Sequence, residues 1–86
     1  MAKYKLYFRE SVEKDFRVIP KKDLIKILRC LDSLIINPRP NGCEKLTGQE
    51  RYRLRQGSYR ILYSIQDEEL TVWIVRVAHR KDIYRR

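Results

Sequence analysis

Residues 51–65 read RYRLRQGSYRILYSI, and their side chains alternate in character on both sides of Gly57-Ser58. Alternation with a period of two predicts β-strands, and a two-residue connection with glycine first suits a type II′ hairpin turn. In that register Arg55 lies opposite Arg60 across the two strands. The stretch therefore predicts an antiparallel hairpin whose two faces differ in chemistry.

The apolar face of this predicted hairpin is the natural seat for helices, and it holds Tyr52, Leu54, Tyr59, Ile61, Tyr63 and Ile65. The opposite face holds Arg51, Arg53, Arg55 and Arg60. Like charges that face each other across two strands destabilise a sheet. Because the guanidinium fork matches phosphate in a bidentate manner, the basic face predicts a phosphate-binding surface.

The rest of the chain supplies a strand and two helices ahead of this hairpin. Residues 3–9 alternate as an amphipathic strand, and Ser11 is a candidate N-cap for a short helix that carries Val12, Phe16 and Ile19. Pro20 ends that helix and opens a second one, whose apolar stripe runs over residues 21–36.

A loop over residues 37–42 follows the second helix, and the almost wholly apolar stretch Leu70–Val77 predicts a third strand after the hairpin. The expectation is a single domain over residues 1–86. Its fold class is α+β, with an N-terminal strand, two helices and an antiparallel three-strand meander, the helices packed on one face of the sheet.

A turn at Asp67-Glu68 would join the second and third strands of the meander. With those two residues as the loop, Arg60 lies opposite Val75 and Leu62 lies opposite Trp73. The same parity places His79 on the arginine face, beyond the end of the strand. A slip of one residue would invert this assignment.

The composition excludes several classes of protein. The chain has 86 residues, a formal net charge of +9, one His and two Cys. These His and Cys residues cannot build a tetrahedral zinc site without several carboxylates, and no apolar run is long enough to span a membrane. The N-terminus lacks the apolar core of a signal peptide, so we expect a cytosolic protein in which Cys30 and Cys43 stay reduced.

The type of positive charge changes along the chain. Residues 1–50 hold 7 Lys and 4 Arg, whereas residues 51–86 hold 8 Arg and one Lys. Lysine is a strongly hydrated point charge that suits general attraction to a polyanion, and arginine suits close contact with phosphate. The pattern predicts a nucleic-acid partner that is gripped by the second part of the chain.

Cleavage of RNA would require proton transfer as well as phosphate binding. No set of metal ligands is evident, so the sequence supports only a nuclease without a metal or other cofactor. Histidine is the side chain type suited to proton transfer at neutral pH, which makes His79 a candidate, and arginines near Tyr84 would lower the pKa of its phenol. The alternatives are that His79 is an ordinary surface or capping residue, that Tyr84 closes the sheet, and that Trp73 packs on a strand instead of stacking on a base.

Two stretches resemble the RelE/ParE toxin superfamily. They are Tyr52–Tyr63, with its Gly-x-Tyr-Arg-(aliphatic)₂-Tyr pattern, and Val75–Tyr84, with its His-Arg-x-x-(aliphatic)-Tyr pattern. The resemblance extends over essentially the whole chain. It implies the toxin of a toxin–antitoxin pair, and for RelE-type members a metal-independent endoribonuclease that cleaves mRNA in the ribosomal A site through attack of the 2′-hydroxyl.

The resemblance also implies roles for individual residues. Arg53 and Arg55 match the basic strand pair of the family, and Arg60 matches its phosphate-binding arginine. Arg80 matches the arginine proposed as general acid or charge stabiliser, and Tyr84 matches the tyrosine proposed as base. Some members carry lysine where this chain has Arg53 and Arg55. Because arginine is a poor proton donor and acceptor, this departure moves the expected proton transfer towards His79 and Tyr84.

The resemblance and the net charge of +9 together indicate partners, and two alternatives stay open. We expect an antitoxin similar to RelB in a hetero-oligomeric complex, together with the ribosome and mRNA as targets, with Arg51, Lys21, Lys22 and Lys26 as further RNA-binding residues. ParE-type members of the same fold inhibit DNA gyrase instead. A non-catalytic RNA-binding or repressor module is the third alternative, and it would bind phosphate with a steep salt dependence and no cleavage.

Overall fold

The computed structural model describes residues 3–46, 48 and 50–83, which form two helices and five strands. In chain order these elements are β1 (Lys5–Phe8), α1 (Glu10–Arg17), α2 (Lys21–Ile36), β2 (Glu44–Lys45), β3 (Arg51–Gln56), β4 (Tyr59–Gln66) and β5 (Thr71–His79). Both helices precede the antiparallel meander β3-β4-β5. The predicted α+β fold class is confirmed.

The strands form one sheet in the order β1-β5-β4-β3-β2. β1 pairs in parallel with β5, so that Tyr7 lies opposite Trp73. The sheet is therefore mixed, whereas the sequence indicated an antiparallel one. The two-residue strand β2, which was not predicted, pairs with β3 and forms the other edge.

The hairpin of β3 and β4 has the predicted register. Arg55 lies opposite Arg60, and Gln56 opposite Tyr59. Gly57 has a φ of +59°, whereas Ser58 is not in the left-handed region. A type II′ turn needs a positive φ only at its first central position, so the glycine stands where this turn requires it.

The connection from β4 to β5 differs from the prediction. The turn contains the four residues Asp67–Leu70 instead of Asp67-Glu68 alone, and Gln66 pairs with Thr71. Leu70 has a φ of +50° and donates its backbone N–H to the Asp67 carbonyl at 3.1 Å. Asp-Glu is a weak turn signal, and nothing local in the sequence marks Leu70 as a residue with left-handed backbone.

A β-bulge in β5 shifts the register by a further residue. Tyr63 pairs with Ile74, but Leu62 pairs with Arg76, so Val75 is the extra residue. The predicted pairs of Arg60 with Val75 and of Leu62 with Trp73 were therefore wrong. A bulge changes which face the following residues occupy, and this one inverts the face of β5 beyond Val75.

The N-terminus of α1 also corrects the prediction. The helix begins at Glu10 with Arg9 in the N-cap position and no side-chain cap, so Ser11 lies inside the helix. Ile19 comes after the end of α1 but is still buried in the core. Pro20 is the N-cap residue of α2, as expected for a proline that separates two helices.

Both helices cover one face of the sheet. Val12 of α1 and Ile27, Leu31 and Leu34 of α2 are buried in one cluster with the sheet residues Tyr52, Leu54, Ile61, Tyr63, Ile65, Val72, Ile74 and Val77. The predicted helix-facing residues of the hairpin are all in this cluster except Tyr59, which is partly buried against it. The helices leave the other face uncovered, and we call it the open face.

The loop after α2 is fastened to the β4–β5 turn by Arg39. Its guanidinium donates two hydrogen bonds to Asp67, at 3.1 and 2.8 Å, and a third to the Tyr52 hydroxyl at 3.2 Å. The Tyr4 hydroxyl donates to the same carboxylate at 2.8 Å. The hydrogen bonds from Arg39 and Tyr4 lower the pKa of Asp67 to about 2.

Candidate functional site

Four arginines from three parts of the chain converge on one hollow of the open face. Arg53 and Arg55 come from β3, Arg60 from β4 and Arg80 from the turn after β5. The hollow has a volume of about 680 Å³, and its remaining lining residues are Gly42, Cys43, Glu44 and Ile83. We call this the arginine hollow.

The backbone explains how these side chains meet. The tight turn at Gly57 places Arg55 directly opposite Arg60, and alternation keeps Arg53 on the same face. Beyond β5, the backbone N–H of Arg80 donates to the carbonyl of Ser58 at 2.8 Å. This hydrogen bond fastens the chain after β5 beside the hairpin turn, so that Arg80 reaches the hollow.

The positive charges of the hollow act on Arg60. Desolvation lowers the pKa of Arg60, and the charges of Arg55, Arg53 and Arg80 lower it further. The guanidinium donates to the backbone carbonyls of Tyr59 at 3.0 Å and Gly57 at 3.3 Å, which hold it against the turn. An anion bound between these groups would relieve the repulsion among them.

Glu44 is a lining residue that the sequence did not indicate. It lies opposite Arg53 in the pairing of β2 with β3, and its carboxylate is 3.3 Å from the Arg53 guanidinium. The carboxylate of this ion pair is exposed and the guanidinium is partly exposed, so the contribution of the pair to stability is small. No sequence pattern pointed to Glu44, because β2 has only two residues and no apolar alternation. Glu44 holds Arg53 at the rim of the hollow.

His79 does not lie on the arginine face, and the prediction that placed it there was wrong. It pairs with Tyr59, and the two rings meet edge to face with their centroids 5.7 Å apart. The bulge at Val75 is the physical reason, because it moves His79 to the helix-covered side of the sheet. The Nδ1 atom of His79 accepts a hydrogen bond from the backbone N–H of Lys81 at 3.2 Å. This is the capping arrangement that the sequence left as an alternative.

The C-terminal turn packs onto the open face. Arg76 donates to the backbone carbonyl of Asp82 at 2.9 Å, and Ile83 is buried to 3% exposure although it lies outside the main core cluster. Ile83 forms part of the wall of the hollow. Tyr84, the predicted proton-transfer residue, follows Ile83 in the sequence and lies outside the described residues.

The other predicted RNA-binding residues are spread more widely. Arg51 lies on the open face opposite Ser64, but it does not line the hollow. Lys21, Lys22 and Lys26 are exposed on α2, which covers the opposite face of the sheet. The structure therefore does not bring these lysines together with the arginine hollow.

Trp73, Cys30 and Cys43 lie in three different surroundings. Trp73 is on the open face, as predicted, and stacks against Tyr7 with a centroid distance of 5.1 Å. Cys30 packs against the core, and burial raises the pKa of its thiol. Cys43 is free and contributes to the wall of the hollow, a position that the sequence did not indicate.

Within the described residues, no group of three or more His, Cys, Asp or Glu side chains has the arrangement of a metal site. No helix among them is long and apolar enough to cross a membrane. The side chains of the hollow are suited to binding a phosphodiester and to stabilising extra negative charge on it, because guanidinium groups remain protonated at all relevant pH values.

Comparison with known proteins identifies relatives of this chain. The model of the family described as the ParE toxin of the type II toxin–antitoxin system parDE matches residues 6–84. Toxin RelG of Mycobacterium tuberculosis is 36% identical over 96% of this chain and 98% of its own. The putative toxin RelE1 of Methanocaldococcus jannaschii is 25% identical over 96% of this chain and 97% of its own.

Solved structures of toxin–antitoxin complexes contain chains that are similar in fold to this one. The toxin–antitoxin complex RelBE2 of M. tuberculosis contains a chain with a TM-score of 0.83 and 30% identity, covering 95% of this chain and 97% of that one. The RelE–RelB complex of Pyrococcus horikoshii contains one with a TM-score of 0.79 and 26% identity, covering 95% and 99%. The chain belongs to the RelE/ParE superfamily and is a toxin of the type II toxin–antitoxin class.

Proposed function

We propose that this toxin is a RelE-type endoribonuclease that cleaves mRNA in the ribosomal A site without a metal ion. The observation that carries the proposal is the convergence of Arg53, Arg55, Arg60 and Arg80 on one hollow. Four guanidinium groups around one hollow form a strong site for a phosphate group, and Glu44 offsets only part of that charge by pairing with Arg53.

The proposed reaction is attack of a 2′-hydroxyl on the adjacent phosphate, with departure of the 5′-oxygen. The bond from the 2′-oxygen to phosphorus forms while the bond to the 5′-oxygen breaks, which leaves a 2′,3′-cyclic phosphate. The non-bridging oxygens of the phosphate carry additional negative charge in the transition state. Arginines already arranged around it stabilise that charge without reorganisation, which is the largest contribution that such a site can make.

Two proton transfers accompany this displacement. The 2′-hydroxyl must lose a proton and the 5′-oxygen must gain one. Since His79 is turned towards Tyr59 on the other side of the sheet, we assign removal of the 2′-hydroxyl proton to Tyr84 rather than to His79. The 5′-oxygen takes its proton from solvent water, and Arg80 stabilises the leaving oxygen or the phosphorane by its charge.

Antitoxin binding is the second part of the proposal. The related structures include RelB–RelE complexes from P. horikoshii and E. coli. We propose that a RelB-like antitoxin with acidic residues binds this toxin and neutralises the open face.

Lys21, Lys22 and Lys26 lie on the other side of the molecule, where they would contact ribosomal RNA while the hollow holds mRNA.

In vitro translation with purified toxin, followed by mapping of mRNA ends on stalled ribosomes, tests the nuclease. We expect cuts in the A-site codon that are lost or reduced about 100-fold or more in Arg60→Ala and in Tyr84→Phe. Arg17→Ala is the matched control, because Arg17 is an exposed arginine on α1, paired with Glu13 and remote from the hollow. Uncut mRNA with wild-type toxin would refute the proposal.

A gyrase inhibitor is the second candidate, because the matching family model is described as the ParE toxin. A DNA supercoiling assay with purified gyrase separates the two candidates. Inhibited supercoiling together with intact mRNA would favour ParE-type activity, and unaffected supercoiling together with A-site cuts would favour RelE-type activity.

A further inference from the structure

An exposed aromatic pair lies on the open face outside the arginine hollow. Tyr7 of β1 and Trp73 of β5 are cross-strand partners, with ring centroids 5.1 Å apart and an angle of 30° between the ring planes. Tyr7 is 43% exposed and Trp73 is 38% exposed. Large aromatic side chains are costly to leave in water, and a joined pair on an uncovered sheet is a surface that a ligand can cover.

The pair and the arginine hollow share one continuous surface. Trp73 lies opposite Ser64 on β4, and Ser64 lies opposite Arg51 on β3, so a row of side chains leads from the aromatic pair to the arginine strand. Trp73 lies one strand spacing from Ser64, and Ser64 is four residues along β4 from Arg60, so the pair is about 15 Å from the hollow. At a rise of about 3.4 Å per stacked nucleotide, about four nucleotides would span that distance.

The charges around the pair favour a polyanion as the occupant. Side chains alternate along β1, so Lys5 lies on the same face as Tyr7, and Arg51 ends the row of Trp73. The open-face positions of β1, β4 and β5 hold no acidic residue. Aromatic rings flanked by cationic side chains form the usual platform for unpaired bases, because every base has a π-face and every nucleotide has a phosphate.

We propose that Tyr7 and Trp73 stack on an unpaired base of the RNA strand whose scissile phosphate lies in the arginine hollow. This inference rests on the proposed nuclease function and adds to it a second contact about four nucleotides from the cut. The contact lengthens the bound stretch of RNA. It would hold the strand in register while the arginines act on one phosphate.

Fluorescence of Trp73 tests the contact directly, since it is the sole tryptophan of the chain. We use single-stranded RNA of eight nucleotides with 2′-O-methyl riboses, which cannot be cleaved by 2′-hydroxyl attack, and a matched oligomer that is abasic throughout. The RNA with bases should quench the tryptophan. The abasic oligomer should bind by its phosphates, as measured by anisotropy of an end label, without quenching.

Substitution of the pair provides the second measurement. Tyr7→Ala and Trp73→Ala should each weaken binding of the base-containing RNA by roughly 5- to 150-fold and leave binding of the abasic oligomer unchanged. Phe8→Ala is the matched control, because Phe8 is the next residue of β1, is equally exposed at 43%, and points to the helix side, where it meets Phe16. Thermal unfolding checks that all three variants are folded.

The outcomes separate this inference from the proposed function. Binding of the base-containing RNA without quenching, or equal losses for Tyr7→Ala and Phe8→Ala, overturns the stacking platform even if A-site cuts are found. Quenching by an acidic antitoxin peptide but not by RNA also overturns it. Quenching by RNA in a toxin that makes no A-site cuts supports the platform and refutes the nuclease.

Discussion

The two hairpins that share β4 are built differently, and the difference determines the shape of the site. The β3–β4 hairpin turns over two residues and places Arg55 directly against Arg60. The β4–β5 hairpin turns over four residues, Asp67–Leu70, and contains a bulge. The tight hairpin concentrates like charge at the cost of repulsion, whereas the irregular one redirects the end of β5.

The two hairpins together decide which residues line the arginine hollow. Without the bulge, His79 would lie on the open face with the arginines. With it, His79 turns to Tyr59, and Arg80 is fastened to the hairpin turn by its hydrogen bond to Ser58. A regular hairpin therefore supplies the concentrated positive charge, and an irregular one selects which residues of the C-terminal motif join it.

The largest effect should come from the charge that the tight hairpin concentrates. We expect Arg60→Gln to reduce cleavage of ribosome-bound mRNA by about 100-fold or more, because it removes a charge that stabilises the phosphorane. The melting temperature should stay unchanged or rise, since desolvation and repulsion from Arg55, Arg53 and Arg80 already disfavour the Arg60 cation. A large fall in melting temperature would show that Arg60 is structural.

The turn at Gly57 should be the next most sensitive position. Gly57→Ala forces a side chain into a φ of +59° and should lower the free energy of unfolding by about 1–2 kcal/mol. Chemical denaturation measures it. Ser58→Ala is the control, because Ser58 is in the same turn without positive φ and keeps the carbonyl that binds Arg80. Equal effects of the two substitutions would contradict the assigned turn type.

The β4–β5 turn should respond to acid through Asp67. Arg39 and Tyr4 hold the pKa of Asp67 at about 2, below its ordinary value of 3.8, so the carboxylate stabilises the fold above pH 4. That stabilisation is lost as the pH falls from about 4 to about 2. Thermal unfolding over this range should therefore show a smaller acid-dependent loss in Asp67→Asn than in the wild type. Glu68→Gln, in the same turn, should behave like the wild type.

The smallest effect is expected at Leu70. Its φ of +50° is unfavourable for a residue with a side chain, so Leu70→Gly should relieve strain that Leu70→Ala retains. Both variants remove the partly exposed leucine side chain, and they differ only in the one methyl group that alanine keeps. We expect the glycine variant to be more stable than the alanine variant by about 0.5–1 kcal/mol in denaturant titrations. A more stable alanine variant would contradict the assigned backbone conformation.

Local pattern was sufficient wherever it was strong. The alternation around Gly57 predicted the register of β3 with β4 and the arginine face, and the 3.6-residue stripe predicted α2 to the residue. It failed at the N-terminus of α1, where Arg9 rather than Ser11 precedes the helix, and at the β4–β5 turn. At both places the boundary depends on tertiary contacts, because the backbone N–H of Arg9 donates to the carbonyl of Ile74 and that of Lys5 donates to the carbonyl of Leu70.

By itself, the sequence determined the fold class, the excess of arginine in the second part of the chain and the placement of four strand arginines on one face. Periodicity and turn chemistry act between neighbours, and they can be read without knowing the fold. Tertiary structure decided that Arg80 and Glu44 join those arginines, that His79 does not, and that Tyr7 meets Trp73 across a parallel pair. Each of these depends on residues far apart in the chain, whose pairing is selected by the packing of the whole sheet against its helices.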